Sequence, residues 1–316
     1  MPEPPIPQKN QGWDVRGEGV LLINRVGMLP CAARQAGYKS GMHRIAICAP
    51  STPLTQEAAA RLTDLARAEF PDVELHVHPQ CFETDGHFAG SDETRLAALL
   101  ECANDPAFDG VWFARGGYGA CRITEKAMAK LDHAAHGKIF LGYSDAGYLL
   151  GALYRERIGR PAHGPMPIDI VREGGEAAAR RALAYFSGDV AGLEPSLDRH
   201  PTVAFNLMTL AMLCGTPLMP GLANHIVMVE EVSEHLYAID RLFFHVTAHL
   251  GGIAGLRLGR VSDIPENDRA FGSTPEQIAR YWCERHAIHY LGDADIGHDG
   301  ANRIVPFGLA SEARRS

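Results

Sequence analysis

Short runs of apolar residues alternate with amphipathic segments through the first half of the chain. Arg44–Pro50 and Gly110–Ala114 are almost continuously apolar, as strands buried on both faces of a parallel sheet usually are. Gln56–Phe70 carries apolar residues at helical spacing, and Val73–Val77 follows as another short strand. This β-α-β order predicts an open, mostly parallel, doubly wound sheet, whose functional groups gather at the carboxyl ends of its strands.

Beyond residue 200 the pattern mixes strands and helices. The predicted elements are, in order, an apolar helix over 206–217, a strand over 225–232, a helix over 237–250, a glycine-rich strand within 251–261, a helix over 274–286 and a strand over 304–308. We therefore predict a proline-rich, extended N-terminal tail over 1–42 and an N-terminal α/β domain over 43–166. A crossover over 167–200 leads to a C-terminal domain of mixed strands and helices over 201–316.

The composition narrows the class of protein. The chain has 316 residues and a net charge of −8, without a run of Lys or Arg, which argues against nucleic acid as a partner. No apolar stretch approaches the ~18 residues of a membrane-spanning helix. The seven cysteines are scattered and form no C-x-x-C pair, and H-E-x-x-H is absent. We therefore expect a cytoplasmic protein with reduced thiols, no metal site, no cofactor and no membrane partner.

The segment Lys138–Gly147 holds the main candidate for chemistry. Ile139–Leu141 predicts a buried strand, Gly142 ends it, and the chain turns helical from Ala146. Ser144 in this sharp turn would be a nucleophile above a helix N-terminus, whose free N–H groups stabilise an oxyanion. The alternative is a serine or aspartate that caps an ordinary helix, because Ala146 replaces the second glycine of the G-x-S-x-G motif.

Two more of the predicted strands end in candidate groups. Arg115–Gly119 is a glycine-rich loop after the third strand, where backbone N–H groups can closely approach an anion. Arg115 would pair either with a substrate carboxylate or with an acid of its own domain. Ser51 follows the first strand, either as a helix cap or as a group that faces the same edge of the sheet.

The C-terminal half offers two acids and a histidine. Glu230 and Glu231 follow a mostly apolar run, so strand alternation places one of them on the buried side, where a carboxylate needs a partner. A structural ion pair with Arg241 is the simplest interpretation. His298 lies in a loop between glycines, which suits a side chain that reaches into a cleft better than one that packs in a core.

Together these segments resemble the LD-carboxypeptidase family, serine peptidases that include muramoyltetrapeptide carboxypeptidase and the microcin C self-immunity peptidases. The resemblance runs from Arg44 to Gly308. The segments that carry it are Ala49-Pro50-Ser51, Phe88–Asp92, Arg115–Gly119, Gly142–Asp145, His163-Gly164-Pro165, Gly215-Thr216-Pro217, Val229-Glu230-Glu231, Tyr237 with Ile239-Asp240-Arg241, and Gly297-His298.

The resemblance implies a Ser–His–Glu triad divided between two domains, commonly in a homodimer. By this resemblance Ser144 is the nucleophile, His298 the base and Glu230 the triad carboxylate, and no metal is needed. The backbone N–H groups of Asp145 and Gly117 would form the oxyanion hole. The candidates for substrate binding are Arg115, Gly116, Tyr118 and Ser51.

The implied function is hydrolysis of the L,D bond before a terminal D-alanine in muropeptides, as part of peptidoglycan recycling. An immunity-type peptidase that cleaves aminoacyl-nucleotide antibiotics is the nearest competing function, and it would need an aromatic residue that stacks on adenine. Trp282 is the only tryptophan in the C-terminal half, and its helical context indicates core packing. A non-catalytic muropeptide-binding protein and a nicotinamide enzyme represent two different classes, and the absent glycine fingerprint disfavours the nicotinamide enzyme.

This chain also departs from the family pattern. Ala204-Phe205-Asn206 stands where members often have Gly-Gly-Asn, Glu231 replaces an aspartate, and Asp293-Ala294-Asp295 precedes the Gly-His pair in place of a more apolar segment. These positions lie near the expected cleft, so the departures bear on the substrate more than on the chemistry.

Overall fold

The computed structural model describes residues 41–313, so residues 1–40 of the predicted tail lie outside the described chain. The strands within it are β1 His43–Cys48, β2 Val73–Val77, β3 Gly110–Phe113, β4 Ile139–Gly142, β5 Arg160–His163, β6 Thr202–Asn206, β7 Ile226–Val232, β8 Gly255–Ser262, β9 Tyr290–Asp293 and β10 Val305–Pro306. The α-helices are α1 Gln56–Glu69, α2 Asp92–Asn104, α3 Ala120–Met128, α4 Gly147–Glu156, α5 Gly175–Phe186, α6 Leu207–Leu213, α7 Leu236–His249, α8 Pro275–Arg285 and α9 Ala310–Ala313.

The first sheet has the strand order β2-β1-β3-β4-β5-β10. All of its neighbouring strands are parallel except β10, which runs antiparallel to β5. This confirms the predicted open, mostly parallel, doubly wound sheet. The chain changes direction across the sheet between β1 and β3, so the crevice outside the carboxyl ends of these strands is where such folds bind ligands.

Each face of this sheet carries its own core, because successive strand residues point to opposite sides. Ile47 and Trp112 belong to a cluster with residues of α1 and α5. Cys48 and Phe113, one position further along their strands, belong to a cluster with residues of α2, α3 and α4. Covering both faces requires apolar residues at every position, which explains the unbroken apolar runs in the sequence.

The second sheet has the order β6-β7-β8-β9, and all of its strands are parallel. Its inner face continues one core of the first sheet, because Phe205 and Val229 belong to the same cluster as Leu149 of α4. The contact is close where α4 meets α6: a Cβ atom added to Gly147 would lie 2.9 Å from the side chain of Thr209. The carboxyl ends of β4 and β6 therefore lie near each other.

Several elements were not predicted from the sequence, among them α3, β6, β9 and α9. The helix predicted over 206–217 begins where β6 passes into α6 at Asn206, but it ends at Leu213. The five residues of β6 are too few to be assigned by periodicity alone.

No helix within residues 41–313 is both long enough and apolar enough to cross a membrane. The cysteines among these residues are free thiols, and all but the half-buried Cys121 are buried.

Candidate active site

Ser144 lies in a strained turn at the carboxyl end of β4. A short 3-10 helix over Ser144–Ala146 joins this strand to α4, and the φ angle of Ser144 is 58°. Residues other than glycine rarely adopt this left-handed backbone conformation. Serine nucleophiles at strand-to-helix turns are a known exception. Ser144 is half-exposed, although Tyr143 and Asp145 on either side of it are buried. The alternative that Ser144 caps a helix is wrong, because the N-cap residue of α4 is Ala146 and no side chain caps this helix.

The side chain of Asp145 anchors this turn. Its carboxylate accepts hydrogen bonds from the Ser51 hydroxyl and, at 2.8 Å, from the backbone N–H of Ala120. Burial raises the pKa of Asp145, and the two hydrogen bonds oppose this shift by stabilising the carboxylate. Ser51 is fully buried, so its hydroxyl holds the turn and is not presented at the surface. It does not cap α1 either, because that role belongs to Thr55.

The glycine loop after β3 packs directly against Ser144. A Cβ atom on Gly116 would lie 2.9 Å from Ser144 Oγ and 3.5 Å from the backbone nitrogen of Asp145. Gly117 has a φ angle of 105° and is exposed. The Thr52 hydroxyl donates to the Gly116 carbonyl at 2.6 Å and fixes the loop. Within the described chain, the N–H groups of Asp145 and Gly117 donate no backbone hydrogen bond, which leaves both for a ligand.

Arg95 is a supporting residue that no sequence pattern singled out. Its guanidinium is buried and donates to the Pro50 carbonyl after β1 and, at 2.9 Å, to the Gly119 carbonyl after β3. Asp92 balances its charge one helical turn away. Arg95 therefore ties together the two strand ends that border the crevice. An arginine three residues after an aspartate in the first turn of a helix looks like a surface pair in sequence, and only the fold buries it.

Arg115 and Tyr118 are exposed at the edge of the same loop. Arg115 makes one long contact, from its guanidinium to the Pro53 carbonyl at 3.4 Å. Among the described ion pairs it has no acidic partner, so the proposed pairing with an acid of its own domain is wrong. Tyr118 is 48% exposed and borders the rings of His87 and Phe88. Both side chains are therefore accessible to solvent beside the turn of Ser144.

Glu230 and His298 are joined by a direct hydrogen bond between the glutamate carboxylate and His298 Nδ1. Glu230 is completely buried on β7, whereas His298 lies in the loop after β9 and is partly exposed. The register between β7 and β8 shifts opposite Glu230, because Val229 pairs with Leu258 but Glu231 pairs with Val261, so the extra residue lies in β8. Both acids are buried because both faces of β7 are covered. Val229 belongs to the core shared with the first sheet, and Met228 belongs to a cluster on the other face.

The bond to Glu230 controls the charge of His298. Burial opposes protonation, but the Glu230 charge and its hydrogen bond outweigh burial and hold the pKa of His298 above its usual 6.5. With Nδ1 occupied by Glu230, Nε2 is the ring nitrogen that remains for another partner. This is the arrangement of a general base that a carboxylate orients.

Glu231 has a different task. Its carboxylate accepts hydrogen bonds from the Asn206 amide at 2.8 Å, from the Met208 backbone N–H at 2.8 Å and from its neighbour Val232 at 2.9 Å. It thus links the start of α6 to β7. The predicted ion pair with Arg241 is wrong for both acids, because the Arg241 guanidinium lies over the ring of Tyr237, 5.2 Å from its centroid.

Tyr143 connects the two halves of the site. Its ring lies 4.8 Å from that of His298, centroid to centroid, and Tyr143 directly precedes Ser144. The Tyr143 hydroxyl donates to the buried Asp169 at 3.0 Å. The guanidinium of Arg172 donates to the Tyr143 oxygen at 3.1 Å and to the His298 carbonyl at 3.0 Å. The structure therefore brings Ser144, His298 and Glu230 to one place, although they are far apart in sequence.

The loop that carries His298 is fixed from below. Asn302 accepts from the Gly297 N–H at 3.2 Å and is bonded to the buried His163 at 3.1 Å. Burial lowers the pKa of His163 to about 3, so this histidine is neutral and donates from Nε2. Arg260 donates to both Asp295 and Asp299 on either side of the Gly-His pair. These bonds give an irregular loop a defined conformation.

The fold belongs to the α/β class, and comparison with known proteins identifies a family of peptidases. Residues 45–164 match the LD-carboxypeptidase N-terminal domain, and residues 201–312 match the LD-carboxypeptidase C-terminal domain. The chain therefore belongs to the LD-carboxypeptidase family, as the resemblance in its sequence predicted.

Several relatives match over most of their length. A Streptomyces coelicolor protein, which its name places among the carboxypeptidases, is 30% identical over 85% of this chain and 89% of its own. The murein tetrapeptide carboxypeptidase of Pseudomonas aeruginosa is 28% identical over 84% of this chain and 91% of its own. Among solved structures, muramoyltetrapeptide carboxypeptidase from Oxalobacter formigenes is 26% identical, with a TM-score of 0.71 over 84% of this chain and 92% of its own.

The wild-type microcin C7 self-immunity protein shares the fold. It is 17% identical, with a TM-score of 0.70 over 84% of this chain and 91% of its own.

Proposed function

We propose that this protein is a serine-type LD-carboxypeptidase that removes the terminal D-alanine from muropeptide tetrapeptides. The observation that carries the proposal is the bonded pair of His298 and Glu230, held through Tyr143 beside the strained turn of Ser144. Ser144 is the nucleophile, His298 the general base and Glu230 the group that orients the base. We also propose the domain boundaries predicted from the sequence, which place Ser144 in the N-terminal domain and Glu230 and His298 in the C-terminal domain.

The geometry supports a two-step hydrolysis. Ser144 Oγ attacks the carbonyl carbon of the residue before D-alanine, and its proton passes to His298 Nε2. Glu230 stabilises the imidazolium that forms, because its buried carboxylate is bonded to Nδ1. When the tetrahedral intermediate collapses, the C–N bond breaks and His298 gives the proton to the departing amine. Water, activated by His298, then releases Ser144 from the acyl-enzyme.

The N–H groups of Asp145 and Gly117 are proposed to bind the oxyanion of the intermediate. Gly116 borders both Ser144 Oγ and the Asp145 nitrogen, and Gly117 follows it in the same loop. Donors fixed in this way do not need to reorganise during the reaction, and removing one typically costs about 10²–10³ in kcat. Ser51 and Asp145 maintain this arrangement from beneath.

The substrate assignment rests on the relatives, two of which are named for murein tetrapeptides or muramoyltetrapeptides. It agrees with the exposed Arg115, which we propose as the partner of the substrate carboxylate. Replacing Arg115 by alanine should raise KM sharply and leave kcat less affected, because the arginine binds a part of the substrate that does not react. Steady-state kinetics decide this, and unchanged KM would contradict the role.

Cleavage of an aminoacyl-nucleotide has less support. Trp282 packs between α7 and α8, where its indole donates to Asp240 at 2.9 Å and its ring contacts Phe244 edge-on. It is therefore engaged in helix packing, as its helical context predicted, and does not supply a platform for adenine in the cleft. A non-catalytic binding protein would have no use for the His298–Glu230 pair.

The decisive experiment uses disaccharide tetrapeptide that ends in D-alanine. The purified protein and a Ser144→Ala variant are incubated with it, and the products are followed by mass spectrometry. We expect wild type to release D-alanine and the variant to be inactive. If neither protein cleaves the tetrapeptide while wild type cleaves an aminoacyl-sulfamoyl adenylate, the muropeptide assignment is wrong and the immunity-type activity holds. Sedimentation of the same sample measures whether the predicted homodimer forms.

A further inference from the structure

A cluster of three metal-binding side chains lies outside the candidate active site. Cys214, His245 and His249 each offer one ligand atom, and these atoms all lie within 4.8 Å of one another. Cys214 caps the C-terminus of α6, and both histidines lie in the last turns of α7. The sequence prediction of no metal site was made without recognising that His245 and His249 have H-x-x-x-H spacing. The third ligand comes from the end of a different helix.

We propose that Cys214, His245 and His249 form a binding site for a divalent transition metal ion, with Zn²⁺ as its natural occupant. A thiolate and two imidazoles are ligands that Zn²⁺ prefers, and histidines four residues apart on a helix present their rings on the same face. The two rings are already adjacent, with centroids 4.4 Å apart. A water molecule or a further ligand would complete the tetrahedron.

The hydrogen bonding of His249 prepares it for this role. Its Nδ1 is bonded to the His245 carbonyl at 2.8 Å. A carbonyl oxygen only accepts, so Nδ1 carries the proton, and Nε2 keeps the free electron pair that a metal needs. Histidine ligands commonly donate their second nitrogen to a backbone carbonyl in this way, which fixes both the tautomer and the orientation of the ring.

The distances allow a metal with small adjustments. Bonds of about 2.1 Å to nitrogen and about 2.3 Å to sulfur place tetrahedral ligand atoms about 3.4–3.6 Å apart. From separations within 4.8 Å, side-chain rotations can close the difference. Sγ loses its proton to solvent as the metal–sulfur bond forms. The C-terminal ends of α6 and α7 add partial negative charge around the cation.

The proposed ion would clamp two helices that support the candidate active site. The helix α6 is only seven residues long, about 10 Å. Near its other end, the Thr209 hydroxyl donates to the Ser144 carbonyl at 3.3 Å. A metal at Cys214 would fix the distant end of this helix against α7 without touching the reacting groups. The site is thus structural, and it does not depend on the proposed catalytic function.

The test is metal uptake by the full-length protein after removal of bound ions with a chelator. Wild type should bind one equivalent of Zn²⁺ per chain, measured by equilibrium dialysis and mass spectrometry of the metal. Co²⁺ in the same site should give the charge-transfer absorption of a cobalt–thiolate bond. Zn²⁺ should also raise the melting temperature of wild type, because an ion that binds only the folded state stabilises it.

Variants assign the site. His249→Ala should weaken Zn²⁺ binding at least about tenfold and abolish the rise in melting temperature. His249 is exposed, so this substitution leaves the core unchanged. Cys214→Ser should abolish the cobalt–thiolate absorption. His286→Ala, an exposed histidine outside the cluster, should bind like wild type. The proposal is overturned if wild type takes up no Zn²⁺, or if His249→Ala and wild type bind it equally.

Discussion

Replacing Glu230 by glutamine tests the assigned mechanism most directly. Glu230 is completely buried and its carboxylate is bonded to His298 Nδ1, so the substitution keeps the volume and removes only the charge. The glutamine amide then offers either a neutral oxygen or an N–H group, and the latter forces the wrong imidazole tautomer. A comparable change in a serine-protease triad lowers kcat by about 10⁴. We therefore expect a loss of about 10³–10⁴-fold, or about 4–5.5 kcal/mol of transition-state stabilisation.

The pH dependence gives a second readout of the same change. The base must be neutral to accept the Ser144 proton, and Glu230 holds the His298 pKa above its usual 6.5. The kcat/KM of wild type should therefore rise with pH through an apparent pKa above that value. Removing the negative charge destabilises the imidazolium, so the acidic limb of Glu230→Gln should move to lower pH. The assay measures the release of D-alanine from the tetrapeptide between about pH 5 and 9, a range that should include this pKa.

Glu231→Gln is the matched control, because it makes the same chemical change one residue away. Glu231 accepts hydrogen bonds from Asn206 and Met208, not from His298. We expect this variant to lose about 1–3 kcal/mol of folding free energy while it keeps kcat within about tenfold of wild type. If Glu230→Gln retains more than about a tenth of wild-type kcat, or if both variants lose the same activity, the orienting role of Glu230 is refuted.

Three further changes follow from the geometry. In Gly116→Ala the new Cβ would lie 2.9 Å from both Cβ and Oγ of Ser144, so we expect about a 10²-fold loss of kcat. Full activity would show that the turn can relax. Arg172→Met removes the donor to the His298 carbonyl and should lower kcat about tenfold, and Arg172→Lys should partly restore it. Identical kinetics in wild type and Arg172→Met would exclude a role of Arg172 in positioning His298. Burial depresses the pKa of His163 to about 3, so its contribution to stability is complete above pH 6.5 and is lost as the pH falls towards 3. Urea unfolding should show that the free energy of unfolding falls by up to about 1.4 kcal/mol per pH unit because of this residue. His163→Gln should lack this pH dependence.

Much of the first sheet could be predicted because its local signals agree with one another. The β2 strand, for example, was predicted with its observed bounds. Apolar runs, caps and glycines are local features that act within a few residues. They do not identify β6, a short strand that pairs with β7.

The candidate site divides in the same way. The turn at Ser144 and the glycine loop could be predicted from the sequence, because the end of a strand followed by glycine adopts few backbone conformations. The partner of Glu230 was not visible in the residue pattern, which pointed to Arg241, and only the family resemblance indicated His298. Arg95, Tyr143 and Arg172 went unnoticed because each acts through groups distant in sequence.

The sequence by itself therefore determined most of the elements, the mostly parallel sheet and the family, because these depend on periodicity and on motifs in a fixed order. Tertiary structure alone decided that Glu231 links β7 to α6, that Ser51 supports Asp145 at a buried position, and that Cys214 lies beside two histidines of another helix. The reason is physical: burial and pairing depend on contacts between distant segments, and a buried charge takes whichever partner the packed fold brings within hydrogen-bond distance.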